Sequence, residues 1–483
     1  MPRKDYAYGS VSRKTLERLH RYESPNVTFI APDGSWPIVW ERAHGLHVWD
    51  AEGRKYLDLT AAFGVAAAGH ANRRVVKAAQ QQLERLPHAM GDVHPHPLKA
   101  ELAQTLSRLT FERWKNKCSH PLKKIRSWWG KTIFCNSGFE AVEAALKTAH
   151  LATGRRGIIA FEGGYHGLGY GALNATHRPF FRQPFLSQLA QFGQFVPFPI
   201  GNEHDVLGSP PVVLSVMPIS TARGREGAKQ SPLGQVEALL ESGEVGAVLV
   251  EPIQARGGIR LPPWHFLPDL RQLCDRYEAL LIVDEIYTGF GRTGAWFACE
   301  HNWVVPDLIC LGKALTGGFP LSACVGHAGL MNRAWPPSRG EAIHTSTFLG
   351  NPVGCAMALA HLREIEEKNL VQHSARVGAA FLAELKTLEP RCGALEVKAR
   401  GLGLMLGLEL RREGQPAGAE AMQVVKQMLH RGFIVLPEGE HGEVISFTPP
   451  LIIKEEHARK TVRALREILE KLPVAAGKGR PAA

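Results

Sequence analysis

No CxxC pair and no short repeated cysteine spacing occur in this sequence of 483 residues. Its eight cysteines, from Cys118 to Cys392, therefore form neither a zinc-binding pattern nor the framework of a disulfide-stapled domain. A reducing compartment is the simplest setting, and a cytoplasmic location is expected. No apolar run approaches the length of a membrane span, and the opening MPRKDYAYGS lacks the hydrophobic centre of a signal peptide. A membrane partner is not expected. A compact basic run is missing as well. The net charge of +11 is spread along the chain without interleaved aromatics, so it reads as solvation and a preference for anionic ligands, not as a nucleic-acid surface. His94 and His96, in VHPHP, could ligate a metal, but the two prolines favour a turn, and no metal is expected.

What is present is a globular composition, 45% hydrophobic and 21% charged, on a chain long enough for two or three domains. The first sixty residues are rich in turns and predict small strands and an arm. Helical spacing of apolar positions over 75–86 and 98–109 predicts two helices, with Pro95 and Pro97 between them. From about Lys131 short apolar runs alternate with amphipathic stretches, the signature of an α/β domain with a mostly parallel sheet flanked by helices. The strand candidates are 132–135, 157–161, 246–250, 280–283, 308–311 and 321–325. The first five end beside polar or glycine-rich residues, so their ends converge. Long helices are predicted over 353–367 and 371–388. A smaller domain follows, with strands in LGLMLGLEL and VISFTPPL and a closing helix over 454–472. The expected division is an arm and part of the small domain over 1–95, a large domain over 96–350, the rest of the small domain over 351–475, and a disordered tail over 476–483.

The stretch 281–294, LIVDEIYTGFGRTG, reads as a buried strand that ends in two carboxylates. Leu281, Ile282 and Val283 are apolar, and Gly289, Gly291 and Gly294 continue neither strand nor helix. Ligands of open α/β sheets sit beyond the carboxyl ends of the strands, which puts Asp284 at a crevice. An acid there needs a cationic partner. The protonated ring nitrogen of pyridoxal phosphate is one, because an ion pair with Asp284 keeps the ring cationic and a better electron sink. Lys313, in LGKALTGG after the apolar run 308–311, supplies an amine for the aldehyde. A solvated turn and a surface charge are the alternatives for these two residues taken singly.

A phosphate needs a cradle. NSGFEAVEAALKTAH, residues 136–150, turns from strand to helix at Ser137 and Gly138, and Phe139, Val142, Leu146 and Ala149 make one apolar helical face. The helix start offers free amides and a favourable dipole to an anion. Ser137 either caps that helix and donates to the phosphate or simply caps it. A second loop, FEGGYHGLGYG, presents Tyr165 and His166, and an aromatic there could stack on a cofactor ring.

Together these segments resemble the class III pyridoxal-phosphate-dependent aminotransferases, the group of the ornithine, acetylornithine and 4-aminobutyrate enzymes. The resemblance covers residues 22–472 and is carried by DEIYTGFGRTG from Asp284, LGKALTGGFP from Leu311, EPIQ from Glu251 and HTSTFLGNPVGCA from His344. It implies the aspartate-aminotransferase-like fold, with a seven-stranded type of sheet, a small α+β domain from both chain ends, and a homodimer with shared active sites. Lys313 would carry the cofactor and shuttle the proton, and Asp284 would pair with the ring nitrogen. Tyr165 and Ile286 would cover the two ring faces, and Gln254 would bond the ring hydroxyl. Ser137, Gly138 and Phe139 would hold the phosphate, with Thr347 reaching it from the neighbouring subunit. His166 and Glu251 complete the cofactor contacts.

The departures concern the substrate. Many relatives carry an arginine for the substrate α-carboxylate where this chain has Ser446, and a glutamate that masks it where this chain has Arg256. The positive charge has in effect changed sides. Arg256 is therefore the candidate substrate anchor, the alternative being a solvated or structural arginine. Leu168 replaces an arginine that often follows the YHG stretch. The expected activity is transfer of an amino group from an amino acid or ω-amino compound to an oxo-acid by a ping-pong route. A racemase or aminomutase shares the same cofactor residues, and a non-catalytic cofactor-binding protein is a third possibility.

Overall fold

The computed structural model describes residues 9–31, 34–115, 128–201 and 230–472. The expected disordered tail, 476–483, lies outside these residues. Seven strands form the central sheet: β1 (Gly130–Cys135), β2 (Gly157–Phe161), β3 (Gly193–Val196), β4 (Val245–Val250), β5 (Leu280–Asp284), β6 (Leu308–Leu311) and β7 (Ser322–His327). Their order across the sheet is β1-β7-β6-β5-β4-β2-β3. Only β7 runs antiparallel to its neighbours, β1 and β6. The pairs β2–β3, β2–β4, β4–β5 and β5–β6 are parallel. Strands β4, β5 and β6 are buried along their whole length, which is why they read as continuous apolar runs without alternation.

Six of these strands follow the apolar pattern. The seventh, β3, is four residues of mixed polarity at the sheet edge, with three of the four only half buried, so no run announces it. Helix Gly138–Thr153 packs on one face of the sheet. Its buried side is Ala141, Val142, Ala144, Ala145, Leu146, Thr148 and Ala149, against Ile282, Leu308 and Cys310. Four alanines bring helix and sheet close. Phe139, expected on this face, is instead 38% exposed at the first turn.

Two smaller sheets lie outside the central one. Strands Trp40–His44, His47–Asp50 and Lys55–Asp58 are joined by Phe433–Ile434, which pairs in parallel with Leu57 and Asp58 and so ties the two halves of the chain together. The other contains Leu395–Leu402, Met405–Arg412, Val444–Phe447 and Leu436–Glu438 as successive neighbours. LGLMLGLEL is thus not one strand. It spans a hairpin turn, where Leu402 pairs with Met405 and Gly403 has φ +57°. Helices Pro352–Glu367, Leu370–Lys386 and Glu455–Leu469 match the predicted periodic stretches.

Helix Pro97–Ser107 starts at the second proline of VHPHP, and a π turn, Arg108–Glu112, extends it. The buried His96 ring contacts the Gly350 carbonyl at 2.7 Å, while His94 is exposed. Among the described residues, no helix is long and apolar enough to cross a membrane. The seven described cysteines are free and buried.

Candidate active site

Strands β1, β2, β4, β5 and β6 all end on one edge of the central sheet because they run parallel. The segments leaving those ends carry every candidate residue except Thr347 and Ser446. Asp284 is the last residue of β5. Its Oδ2 lies 2.8 Å from Nδ1 of His166, and its Oδ1 accepts from the Ile286 amide at 3.1 Å. Both partners are buried, so the His166 ring is committed to the carboxylate. Glu251 follows β4 and clasps two loops, accepting from the Tyr165 amide at 2.9 Å and the Ala255 amide at 3.2 Å. Burial pushes its carboxyl up to about 7, with His166 pulling down and Asp284 pushing up.

Lys313 stands two residues beyond β6 with φ +37°, a left-handed backbone that costs a non-glycine residue of order 1 kcal/mol. Its Nζ lies 4.5 Å from the centre of the Tyr287 ring. Burial lowers the ammonium below the usual lysine value, against the pull of Asp284 and Glu251. The Tyr287 hydroxyl is 3.2 Å from Thr448 Oγ1, which itself donates to the Thr60 carbonyl at 3.1 Å. Thr448 has one proton to give, so Tyr287 is the donor of that pair.

At the end of β1 the helix start is closed by Glu140, whose Oε2 accepts from the Asn136 amide at 2.6 Å. The buried Ser137 Oγ has no hydrogen-bond partner. Ser137 thus occupies the cap position without using its hydroxyl as a cap. Ile286 fills the space beside Gly138, where an added Cβ would meet its Cδ1 at 3.1 Å. The loop of Tyr165 and His166 lies on Phe139. A Cβ at Gly167, whose φ is +113°, would fall 2.3 Å from Phe139 Cβ, and one at Gly169 would fall 2.4 Å from its Cδ2. Gln254 donates through Nε2 to the Glu162 carbonyl at 2.8 Å, and its buried Oε1 has no partner.

The surroundings of Arg256 are less tightly bonded. The Arg256 guanidinium lies over the Tyr165 ring at 5.1 Å and near Phe181 at 5.9 Å. Its Nε is 3.9 Å from Oε2 of the buried Glu438, beyond hydrogen-bond reach. Ser446 is buried in the C-terminal sheet and donates to the Leu436 carbonyl at 3.1 Å, so it adds no charge. Thr347 is exposed, and the neighbouring Ser346 Oγ accepts from Asn136 Nδ2 at 3.3 Å. Sequence reasoning missed Tyr287, Thr448 and Glu438. Tyr287 lay inside the DEIYTGFGRTG motif, whereas Glu438 ends a short strand just before a glutamate-rich turn, in a stretch that reads as solvated.

These residues fit pyridoxal phosphate on two independent points. Ser137 Oγ, at a helix start with free amides, and Gln254 Oε1 are buried polar atoms without a hydrogen-bond partner among the described residues, suited to a phosphate and to a ring hydroxyl respectively. The fold is that of a pyridoxal-phosphate-dependent transferase. The profile of the class-III aminotransferases matches residues 29–469. The putrescine aminotransferase of Pectobacterium atrosepticum is 34% identical over 473 residues, covering 96% of this chain and 90% of that protein. The acetylornithine aminotransferase of Methanosarcina acetivorans is 34% identical over 437 residues, covering 90% and 92% respectively. The structure of an amine transaminase from an uncultivated Pseudomonas species, in its PLP-bound form, aligns with a TM-score of 0.76 at 28% identity, covering 93% of this chain and 98% of that one. The chain belongs to the class-III aminotransferases. It is a pyridoxal-phosphate-dependent enzyme of amino-group transfer, and its family and relatives do not favour an isomerase.

Proposed function

We propose that this aminotransferase works through Lys313 and Asp284, with Arg256 receiving the carboxylate of the oxo-acid acceptor. The observation that carries this reading is the convergence of Asp284 and Lys313 at the ends of the adjacent strands β5 and β6, with burial lowering the pKa of the lysine. When bound, pyridoxal phosphate supplies an aldehyde for amines and a cationic ring that withdraws electrons from the substrate carbon. Lys313 Nζ would hold the cofactor and, when not so engaged, would act as a neutral base that takes up a proton. The Tyr287 ring restricts where that nitrogen can go. Asp284, steadied by His166 and the Ile286 amide, presents negative charge to the ring nitrogen.

Ser137 and the amides of Gly138 and Phe139 would hold the phosphate, Gln254 the ring hydroxyl, and Tyr165 and Ile286 the two ring faces. Glu251 holds the Tyr165 and Gln254 loops in register. Putrescine and acetylornithine, the substrates in the names of two relatives, each carry a primary amine at the end of a carbon chain. We assign an ω-amino donor to this chain on that basis. We read 96–350 as the large, cofactor-carrying domain, 1–95 as an arm and part of the small domain, and 351–475 as the rest of the small domain. The enzyme is read as a cytoplasmic homodimer in which Thr347 serves the partner's phosphate, in keeping with the exposed Ile343 and Phe348 beside it.

Borohydride reduction and peptide mapping test the lysine, and labelling elsewhere than Lys313 refutes it. Mixing Lys313→Ala chains with Thr347→Ala chains tests the shared site. Activity should appear on mixing, because one site of each heterodimer then carries neither lesion; activity that tracks each chain separately assigns Thr347 to its own subunit.

A further inference from the structure

Glu438 is a buried acid that the transfer chemistry described above does not use. It ends the strand Leu436–Glu438, is 6% exposed, and its Oε2 has no hydrogen-bond donor. Its charge bears on Lys313, Tyr165 and Tyr287, so it faces the same cleft as the reacting groups. Among the described residues the nearest cation is Arg256, and the Nε facing Glu438 has no hydrogen-bond partner among them either. Burial pushes the Glu438 carboxyl above the usual carboxylate range, against the pull of Arg256 and, after it, of Arg178 and Lys313.

The backbones behind the two charges are locked together. The Gly439 amide donates to the Arg256 carbonyl at 3.2 Å, and Arg178 Nη2 donates to that same carbonyl at 2.6 Å and to the Gly439 carbonyl. The backbone at Glu438 is therefore held in place. Arg256, with its side chain 34% exposed, has room to turn. A buried carboxylate oxygen without a donor costs folding free energy, and the missing donor is naturally supplied by a ligand. A ping-pong enzyme must also admit two unlike molecules to one pocket. Two opposite charges 3.9 Å apart without a hydrogen bond can be separated by either kind of molecule, each taking the charge it complements.

We propose that Glu438 is a cation subsite of the donor pocket, taking the distal ammonium of a diamine while Arg256 turns aside. This rests on the aminotransferase reading and on the role given to Arg256. It makes the donor a molecule with two amino groups, one to react and one to be held. The acceptor, carrying a carboxylate, reverses the arrangement by pairing with Arg256 and leaving Glu438 to water.

Calorimetry on the holoenzyme tests the subsite without turnover, using N,N,N′,N′-tetramethyl-1,4-butanediamine and N,N-dimethylbutylamine. Both are tertiary amines and cannot react with an aldehyde. The dication should bind about tenfold or more tighter than the monocation, the worth of one charged hydrogen bond. Glu438→Gln should abolish that preference. Arg256→Ala should strengthen dication binding by removing the resting partner, a change of opposite sign to structural damage. Equal affinities in the wild type, an unchanged preference in Glu438→Gln, or weaker or unchanged dication binding in Arg256→Ala would each overturn the subsite. Should Glu438→Gln fail to fold, the wild-type and Arg256→Ala arms decide alone. Failure of the aminotransferase reading would show separately, as primary amines that leave the cofactor spectrum unchanged.

Discussion

The two ends of the cleft differ in how fully their polar atoms are bonded. At the Asp284 end both carboxylate oxygens of Asp284 and both of Glu251 accept protein hydrogen bonds, and those bonds join the ends of β2, β4 and β5. At the Arg256 end two opposite charges face each other with their nearest polar atoms unbonded. On the roles proposed above, the first arrangement fixes the groups that the reaction needs in both halves of its cycle. The second leaves movable the groups proposed to meet two different molecules. On that reading rigidity and looseness divide along the line between chemistry and selection.

The strongest way to break this contrast is at Lys313. Lys313→Ala should lower turnover by on the order of 10⁴-fold or more and abolish borohydride fixation of the cofactor, while the unfolding transition stays close to wild type. Asp284→Asn should cost on the order of 10²-fold in kcat at cofactor saturation, since a neutral amide no longer complements a cationic ring. Equal kcat in the two proteins would remove Asp284 from the fixed end. His166→Asn acts one bond further out and should lower kcat by about tenfold with little change in KM. A loss confined to KM would show that His166 does not work through Asp284. The loose end is probed by Arg256→Ala. Because that side chain is a third exposed, the loss in kcat/KM for an oxo-acid should be at the low end for a charged contact, about 2 kcal/mol. An amine without a carboxylate should be spared in the first half-reaction. A loss shared equally by both substrates would make Arg256 part of the scaffold.

Much of the fixed end was legible in the sequence. Buried parallel strands write themselves as apolar runs, and each run from β1 to β6 except β3 ended at a residue that the fold brings to the cleft. The run 280–283 and the two acids after it put Asp284 where the structure has it. The loose end was far less legible. Arg256 and Ser446 stood out by departure from a family pattern, but Glu438 did not, because its burial depends on pairing between Leu436–Glu438 and Val444–Phe447. A glutamate among Gly439, Glu440 and His441 carries no local sign of being enclosed. His166 was visible as a loop aromatic, yet its bond to Asp284 spans 118 residues and follows only from β2 and β5 ending on the same edge. The Gly403 turn stayed hidden for the opposite reason, since both flanks are apolar and no polar residue marks the reversal.

The contact between Phe139 and its glycines makes positions 139 and 169 one mutable unit. Gly167 has a left-handed backbone that favours glycine whatever its neighbour, but Gly169 does not. At 169 an alanine requires Phe139 to move, since its Cδ2 lies 2.4 Å and Glu143 Oε1 3.0 Å from the added carbon. Phe139→Ser would open the larger part of that space, so what position 169 accepts depends on the side chain at 139.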